Sequence, residues 1–172
     1  MEGDRRRQKI VQCLLQAEKP VSGSVLAAEF GVSRQVIVQD IALLRATDKN
    51  ILSTNKGYMI YQAEPKDTRV KQSFAVSHTD RQMQDELYTI TDQGGTVLDV
   101  VIEHEIYGQI TADLLLRDRG DVDEFIQKIR HSSAKPLKEL TGGIHYHTVE
   151  ADTAEKLSQI EEKLRLKGYL VE

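Results

Sequence analysis

Cysteine is nearly absent from this chain: Cys13 stands alone among 172 residues. A single thiol excludes a disulfide framework, and its place in an amphipathic helical pattern marks it as a packing residue. Long apolar runs are missing too. No stretch of about 18 apolar residues occurs, so a transmembrane helix is not expected. MEGDRRRQKIVQ lacks the apolar segment of a signal peptide, and the expected location is cytoplasmic. Repeats and low-complexity segments do not occur. The glycine-rich phosphate loop and the nucleophile elbow are missing as well, which weighs against an NTPase or an α/β-hydrolase. What is present is ordinary core-forming material, 40% hydrophobic, in a length that suits one large domain or two small ones.

The net charge of −4 conceals an asymmetry. Residues 1–62 carry nine Lys/Arg against six Asp/Glu, and residues 63–172 carry fourteen against twenty-one. A basic leading part on an acidic remainder is a mild hint that the first part meets a polyanion, although chance also gives an excess this small.

Helical periodicity organises the first part. Ile10, Val11, Leu14 and Leu15 mark a helix that ends near Lys19-Pro20. SGSVLAAEFG starts with Ser22 as an N-cap, buries Leu26, Ala27 and Phe30, and stops at Gly31, where a left-handed cap is wanted. SRQVIVQDIALLRA starts with Ser33 as a cap and lines up Ile37, Ile41 and Leu44. Two short helices across a tight Gly31-Val32 turn have helix-turn-helix spacing. The opposite face of the second helix offers Arg34, Gln35, Val38 and Gln39. Arg suits guanine, Gln suits adenine, and Val suits a thymine methyl. Ser33 at the helix N-terminus suits a phosphate oxygen. A plain helical hairpin with a solvated polar face has the same spacing. ILSTNKGYMIY then reads as strand, turn, strand around Asn55-Lys56-Gly57, which completes a winged helix with Lys56 at the tip of the wing, near the phosphate backbone.

GVSRQVIVQDIALLRA followed by a hairpin resembles the winged helix-turn-helix of biotin-repressor-like regulators, on Ser33, Arg34, Ile37, Asp40, Ile41 and Leu44. The resulting domains are 1–62, DNA-binding; 63–71, a polar linker containing Pro65; and 72–172, regulatory. In the last of these, SFAVSH, TVLDVVIEH, QITADLLLR and GGIHYHTV read as strands. TDRQMQDELYTITDQGG, opened by a Thr79/Gln82 capping box, DVDEFIQKIRH, capped by Asp121, and TAEKLSQIEEKLRLKG read as helices. The order β-α-β-β-α-β-α makes this part an α+β sandwich, with helices over one face of a largely antiparallel sheet.

Within it, His145 and His147 stand two apart, so both imidazoles point to one strand face. Glu86 shares the inward side of its helix with Met83, Leu87 and Ile90, where a carboxylate is costly unless paired. His78 closes the strand before that helix. Three imidazoles and a carboxylate suit a borderline divalent ion such as Zn²⁺, Ni²⁺ or Fe²⁺. Surface histidines and a salt-bridged Glu86 are the other reading. His104 and His131 do not join the set.

The winged helix together with SFAVSH, VIEHEIYGQITADL and LTGGIHYHT resembles the niacin-responsive transcriptional repressors of Gram-positive bacteria over essentially the whole chain. The resemblance implies a divalent metal on His78, Glu86, His145 and His147. It also implies a homodimer on operator DNA that represses niacin-uptake and NAD-biosynthesis genes, nicotinic acid as co-repressor, and a regulatory domain with the topology of the histidine-containing phosphocarrier. Nicotinate could contact the metal directly, through its carboxylate or ring nitrogen. A metal-responsive regulator is the alternative, and a metal-dependent hydrolase with a DNA-binding head is a more distant one.

Overall fold

The computed structural model describes residues 3–47, 50–61 and 68–172. The chain divides into two compact units, Met1–Pro65 and Lys66–Glu172.

In the first unit, helices α1 (Gly3–Gln16), α2 (Gly23–Phe30) and α3 (Arg34–Ala46) precede a two-stranded hairpin of β1 (Ile51–Thr54) and β2 (Gly57–Ile60). Local chemistry fixes the helix ends. The Ser22 and Ser33 hydroxyls accept the amides of Val25 and Val36 at 3.2 and 3.3 Å, and Gly31 closes α2 in the left-handed region at φ 63°. The core is Ile10, Leu14, Leu26, Ala27, Ile37, Ile41, Leu44 and Ile51, with Val11 and Phe30 partly buried against it. Leu15, part of the apolar spacing that marks α1, is 50% exposed; one residue past Leu14 on a helix is about 100° around it. Asp40 is buried and accepts Arg6 Nε at 2.6 Å and Arg7 Nη1 at 3.1 Å, so two of the three consecutive arginines lock α1 onto α3. At the hairpin, Tyr58 and Val21 exchange both backbone hydrogen bonds at 2.8 Å. Gly57 is required there: a Cβ would strike the Val21 carbonyl, and its φ is 137°.

The second unit runs β3 (Val70–Val76), a 3₁₀ turn at Asp80–Gln82, α4 (Met83–Thr91), β4 (Thr96–His104), β5 (Gly108–Leu116), α5 (Arg119–Arg130), a second 3₁₀ turn at Leu137–Thr141, β6 (His145–Ala151) and α6 (Ala154–Leu166). The α+β reading and the order of the strands and helices hold. The sheet order is β3-β6-β4-β5, antiparallel throughout. One core joins the three helices to the sheet, with Leu87, Ile90, Val122, Ile126, Leu157, Ile160 and Leu164 packed against Phe74, Val97, Leu116 and Val149.

The linker expected over 63–71 lies partly outside the described residues, and its last two residues belong to β3, because Val70 and Lys71 pair with Ala151 and Glu150. The cap of α5 is Asp118 rather than Asp121. Asp118 accepts the Asp121 amide at 2.9 Å, while Asp121 reaches back to the Arg117 amide at 3.0 Å. A capping side chain serves amides two or three residues ahead, which puts Asp121 in the reciprocal position. The Thr79/Gln82 capping box is present, with Gln82 Oε1 accepting the Thr79 amide at 2.9 Å.

β4 loses register with both neighbours. Val97 pairs with Leu116 and Asp99 with Asp113, so two residues of β5 face one of β4, and Leu115 takes a left-handed φ of 58°. Against β6 the ladder is interrupted between Val97 and Val101. A bulge of this kind leaves backbone groups outside the ladder and re-aims them.

Candidate functional site

The antiparallel register of β3 and β6 sets Val76 opposite His145, so the chain leaving β3 brings His78 beside the β6 histidines. α4 carries Glu86 under them. The result is a closed cluster: His78 Nε2 lies 3.2 Å from His145 Nε2 and 3.6 Å from Glu86 Oε2, and His147 Nε2 lies 3.7 Å from Glu86 Oε1. Neighbouring rings stand edge to face with centroids 4.9 Å apart. Glu86 is fully buried, His145 and His147 are buried, and His78 sits at 9% exposure.

Each ring is oriented from behind by a backbone carbonyl. His78 Nδ1 bonds to Thr79 O at 2.9 Å, His145 Nδ1 to Gly143 O at 2.9 Å, and His147 Nδ1 to Asp99 O at 2.7 Å. A carbonyl only accepts, so each Nδ1 carries the proton. The partners come from irregular backbone. Asp99 lies in the interruption of the β4–β6 ladder, where its side chain also accepts the Thr148 amide at 2.9 Å. Gly142 and Gly143, at φ 68° and 99°, turn the chain so that the Gly143 carbonyl faces the His145 ring.

With Nδ1 protonated, each neutral ring has its lone pair on Nε2; those of His78 and His147 lie near Glu86, and that of His145 lies near His78. Burial lowers the basicity of all three, to about 3 at His145 and about 4 at His147, with neighbouring positive charge adding to the effect. Burial, with the Asp85 charge second, pushes Glu86 up to about 8. Neither Glu86 oxygen has a hydrogen-bond partner among the described residues. Burial thus favours the neutral acid at Glu86, and its oxygens and the neighbouring imidazole nitrogens have no hydrogen bonds to one another among the described residues; a bound cation would hold Glu86 ionised and satisfy these groups together.

The donor distances bear on that fit. A metal–nitrogen bond near 2.05 Å gives ligand–ligand edges of about 3.3 Å in a tetrahedron and about 2.9 Å in an octahedron. The His78–His145 separation falls in that range, and the Glu86 separations are a few tenths wider. The cluster is therefore not a coordination shell as it stands, and among the described residues no group of three or more His, Cys, Asp or Glu is placed to hold a metal ion. The donor types and the unsatisfied carboxylate fit a divalent ion, with Glu86 as the group that must close in.

The other histidines stay apart. His104 Nδ1 receives the Ile106 and Tyr107 amides at 3.2 and 3.3 Å, and His131 Nδ1 bonds to Gln127 O at 2.8 Å. Beside the cluster lies a cavity of about 190 Å³, walled by Met83, Leu87, Val100, Leu114, Phe125 and Ile129 and touched by the three histidines and Lys138. Lys138 was not singled out from the sequence. It is 7% exposed, with its ammonium 2.7 Å from Asp80 Oδ1.

In the first unit, the cap residue Ser33 and Arg34, Gln35, Val38 and Gln39 of α3 are exposed. Gln35 and Gln39 lie opposite the buried Ile37, Ile41 and Leu44, whereas Arg34, three residues before Ile37 and seven before Ile41, stands at the helix start on the near side, with its side chain beside Gly23. The Ser33 oxygen accepts the Val36 amide, which leaves its hydroxyl proton to donate. Lys56 lies on the two-residue turn between β1 and β2 and is half-buried.

Comparison with known proteins agrees with this division. Residues 6–59 match a helix-turn-helix (HTH) domain model and residues 71–172 match the 3H domain. The chain is 38% identical over 167 residues to the "Probable transcription repressor NiaR" of Thermotoga maritima, covering 97% of this chain and 94% of that one. It is 37% identical over 170 residues to the "Transcription repressor NadR" of Bacillus subtilis, covering 98% and 94%. The chain belongs to the 3H-domain family of transcription repressors. The histidine cluster and the cavity thus lie within the 3H domain, and the exposed face of α3 within the HTH domain. Both relatives are named as repressors rather than enzymes, which removes the hydrolase alternative. Among the described residues no helix is long and apolar enough to cross a membrane.

Proposed function

We propose that this protein is a niacin-responsive, DNA-binding repressor of niacin-uptake and NAD-biosynthesis genes, acting in the cytoplasm as a homodimer. In this reading α3 enters the major groove with Arg34, Gln35, Val38 and Gln39 toward the bases, while Ser33 and Lys56 meet phosphate. A two-fold dimer sets two such helices about 34 Å apart on successive major grooves. The 3H domain holds a divalent transition metal (Ni²⁺, Zn²⁺ or Fe²⁺) through His78, Glu86, His145 and His147, and nicotinic acid is the co-repressor.

The observation that carries the sensing part is the clustering of three Nε2 lone pairs around the fully buried Glu86, which has no hydrogen-bond partner among the described residues, next to a cavity that fits one small ring. The DNA-binding part rests on the capped α2–turn–α3 pair with an exposed polar face and on the repressor names of two nearly full-length relatives. A gel shift on the promoters of niacin genes, with and without nicotinate, before and after chelation, tests the whole reading. Retardation should require both nicotinate and metal. Retardation that follows added metal but ignores nicotinate would make this a metal-responsive regulator.

A further inference from the structure

In the first unit the β1–β2 hairpin is tied to the helical part beside Arg34. Tyr58 of β2 and Val21, just before α2, form an antiparallel bridge with both backbone hydrogen bonds at 2.8 Å. The Tyr58 side chain is partly buried against the helical core. Its Cε2 comes within 3.4 Å of the point where a Cβ on Gly23 would stand, and Arg34 Nε and Cγ come within 3.6 and 3.7 Å of the same point. Gly23 is the first residue of α2 and is buried. The hairpin and α3 therefore each send one side chain to a single spot on α2. The absent side chain of Gly23 leaves the room that the Tyr58 ring and the Arg34 stem share.

Arg34 needs such a seat. It is the first residue of α3 and is exposed. No hydrogen bond or ion pair holds its guanidinium among the described residues. A helical side chain leans over the turn before its own, and a first-turn residue has no such turn to lean on. An arginine left loose gives up its rotamer freedom when it contacts DNA, and that loss shrinks when packing has already selected the rotamer. Tyrosine is suited to the selecting, because its flat ring has only two torsions, and here its backbone is fixed by the bridge to Val21.

We infer that Tyr58 is a positioning residue for DNA recognition: its ring, seated on Gly23, holds the Arg34 side chain in the orientation that reads a base pair. The wing then does more than offer Lys56 to a phosphate. Its attachment at Val21 sets the arginine of the recognition helix, so wing placement and base reading are coupled. The inference rests on the DNA-reading role proposed for Arg34, and on neither niacin nor the metal.

The probe is the duplex that the full wild-type chain holds best from a random-sequence pool, selected with nicotinate and Zn²⁺ present and again without them. Fluorescence anisotropy then measures its affinity and that of its single-base-pair variants. Arg34→Ala should flatten the preference at one base pair. Tyr58→Ala should flatten the same base pair, leave the others as they are, and lower affinity about fivefold. Tyr58→Phe keeps the ring and should bind within about twofold of wild type. In a chain that already carries Arg34→Ala, Tyr58→Ala should change affinity by less than about twofold, because the side chain it positions is gone. An equal loss from Tyr58→Ala with and without Arg34 would show that Tyr58 only braces the core, and the inference fails. It fails too if Tyr58→Phe loses as much as Tyr58→Ala, since the hydroxyl would then touch DNA itself. A wild type that selects no duplex, or an Arg34→Ala that flattens no position, removes the DNA-reading role of Arg34 and the inference with it.

Discussion

Glu86→Gln should make the metal-free protein more stable at alkaline pH, although it alters a fully buried residue of the second unit. Burial, reinforced by the Asp85 charge, raises Glu86 from 4.5 to about 8. A carboxyl group with a raised folded-state pKa contributes stability that is fully present below 4.5 and lost as pH rises through about 8. At about 1.4 kcal/mol per unit, the whole loss is about 5 kcal/mol. The imidazoles act in the opposite sense. Their lowered pKa values, from 6.5 to about 3 at His145 and about 4 at His147, give stability that is full above 6.5 and lost as pH falls. Between pH 6.5 and 8, Glu86 is thus the member of the cluster that changes charge, and its share of the loss in that window is about 2 kcal/mol. Gln is isosteric and never ionises. Urea unfolding followed by circular dichroism, with a chelator present, reads the difference at pH 6.5 and 8.5 in the transition that added metal raises. Wild type should lose about 2 kcal/mol across the window and Glu86→Gln almost nothing, so the variant ends above wild type at pH 8.5. Saturating Zn²⁺ should then stabilise wild type far more than the variant. Equal pH slopes in the two proteins, or a variant less stable than wild type at pH 8.5, would refute the account of Glu86 as a buried carboxylate held for a cation.

Arg34→Ala should weaken operator binding by about 1–3 kcal/mol and relax sequence preference at one position; a loss equal on all DNA would show that Arg34 touches only phosphate. Lys56→Ala should reduce the salt slope of operator binding by about one unit, and an unchanged slope would remove the wing from the contact. Chelation should lower nicotinate affinity, and nicotinate should raise metal affinity by the same factor, as reciprocal linkage demands; nicotinate affinity independent of metal would separate the two sites.

The first unit was legible because its signals are local. Ser22, Gly31 and Ser33 act on amides or carbonyls within a few residues, and Ile37, Ile41 and Leu44 repeat at helical spacing. The pair His145 and His147 was legible for the same reason, since alternation on β6 guarantees a shared face. Glu86 showed itself by its place among Met83, Leu87 and Ile90. The meeting of His78 with His145 across 67 positions depends on the register of β3 against β6, which no local pattern reports. Lys138 was illegible, because KPLKEL reads as solvated polar chain until the 3₁₀ turn and Asp80 fold it inward. Asp99 had a visible trace as the acid that interrupts the apolar run VLDVVI. Its role in orienting His147 needed the bulge.

The way the rings are held bears on what the cavity selects. Histidine ligands are often oriented by carboxylates, which add negative charge around a metal. Here all three are oriented by neutral backbone carbonyls, so Glu86 is the sole anion of the proposed ligand set. A divalent ion on three neutral imidazoles and one carboxylate retains a net charge of about +1. Lys138 adds a second positive charge on the same cavity lining, and no acid on that lining opposes it. In an apolar, poorly screened space that surplus favours one small anion over any neutral molecule of equal shape. In the proposed reading, the ionised carboxyl group of a bound acid would supply the charge that the protein withholds, and this would couple metal occupancy to acid recognition.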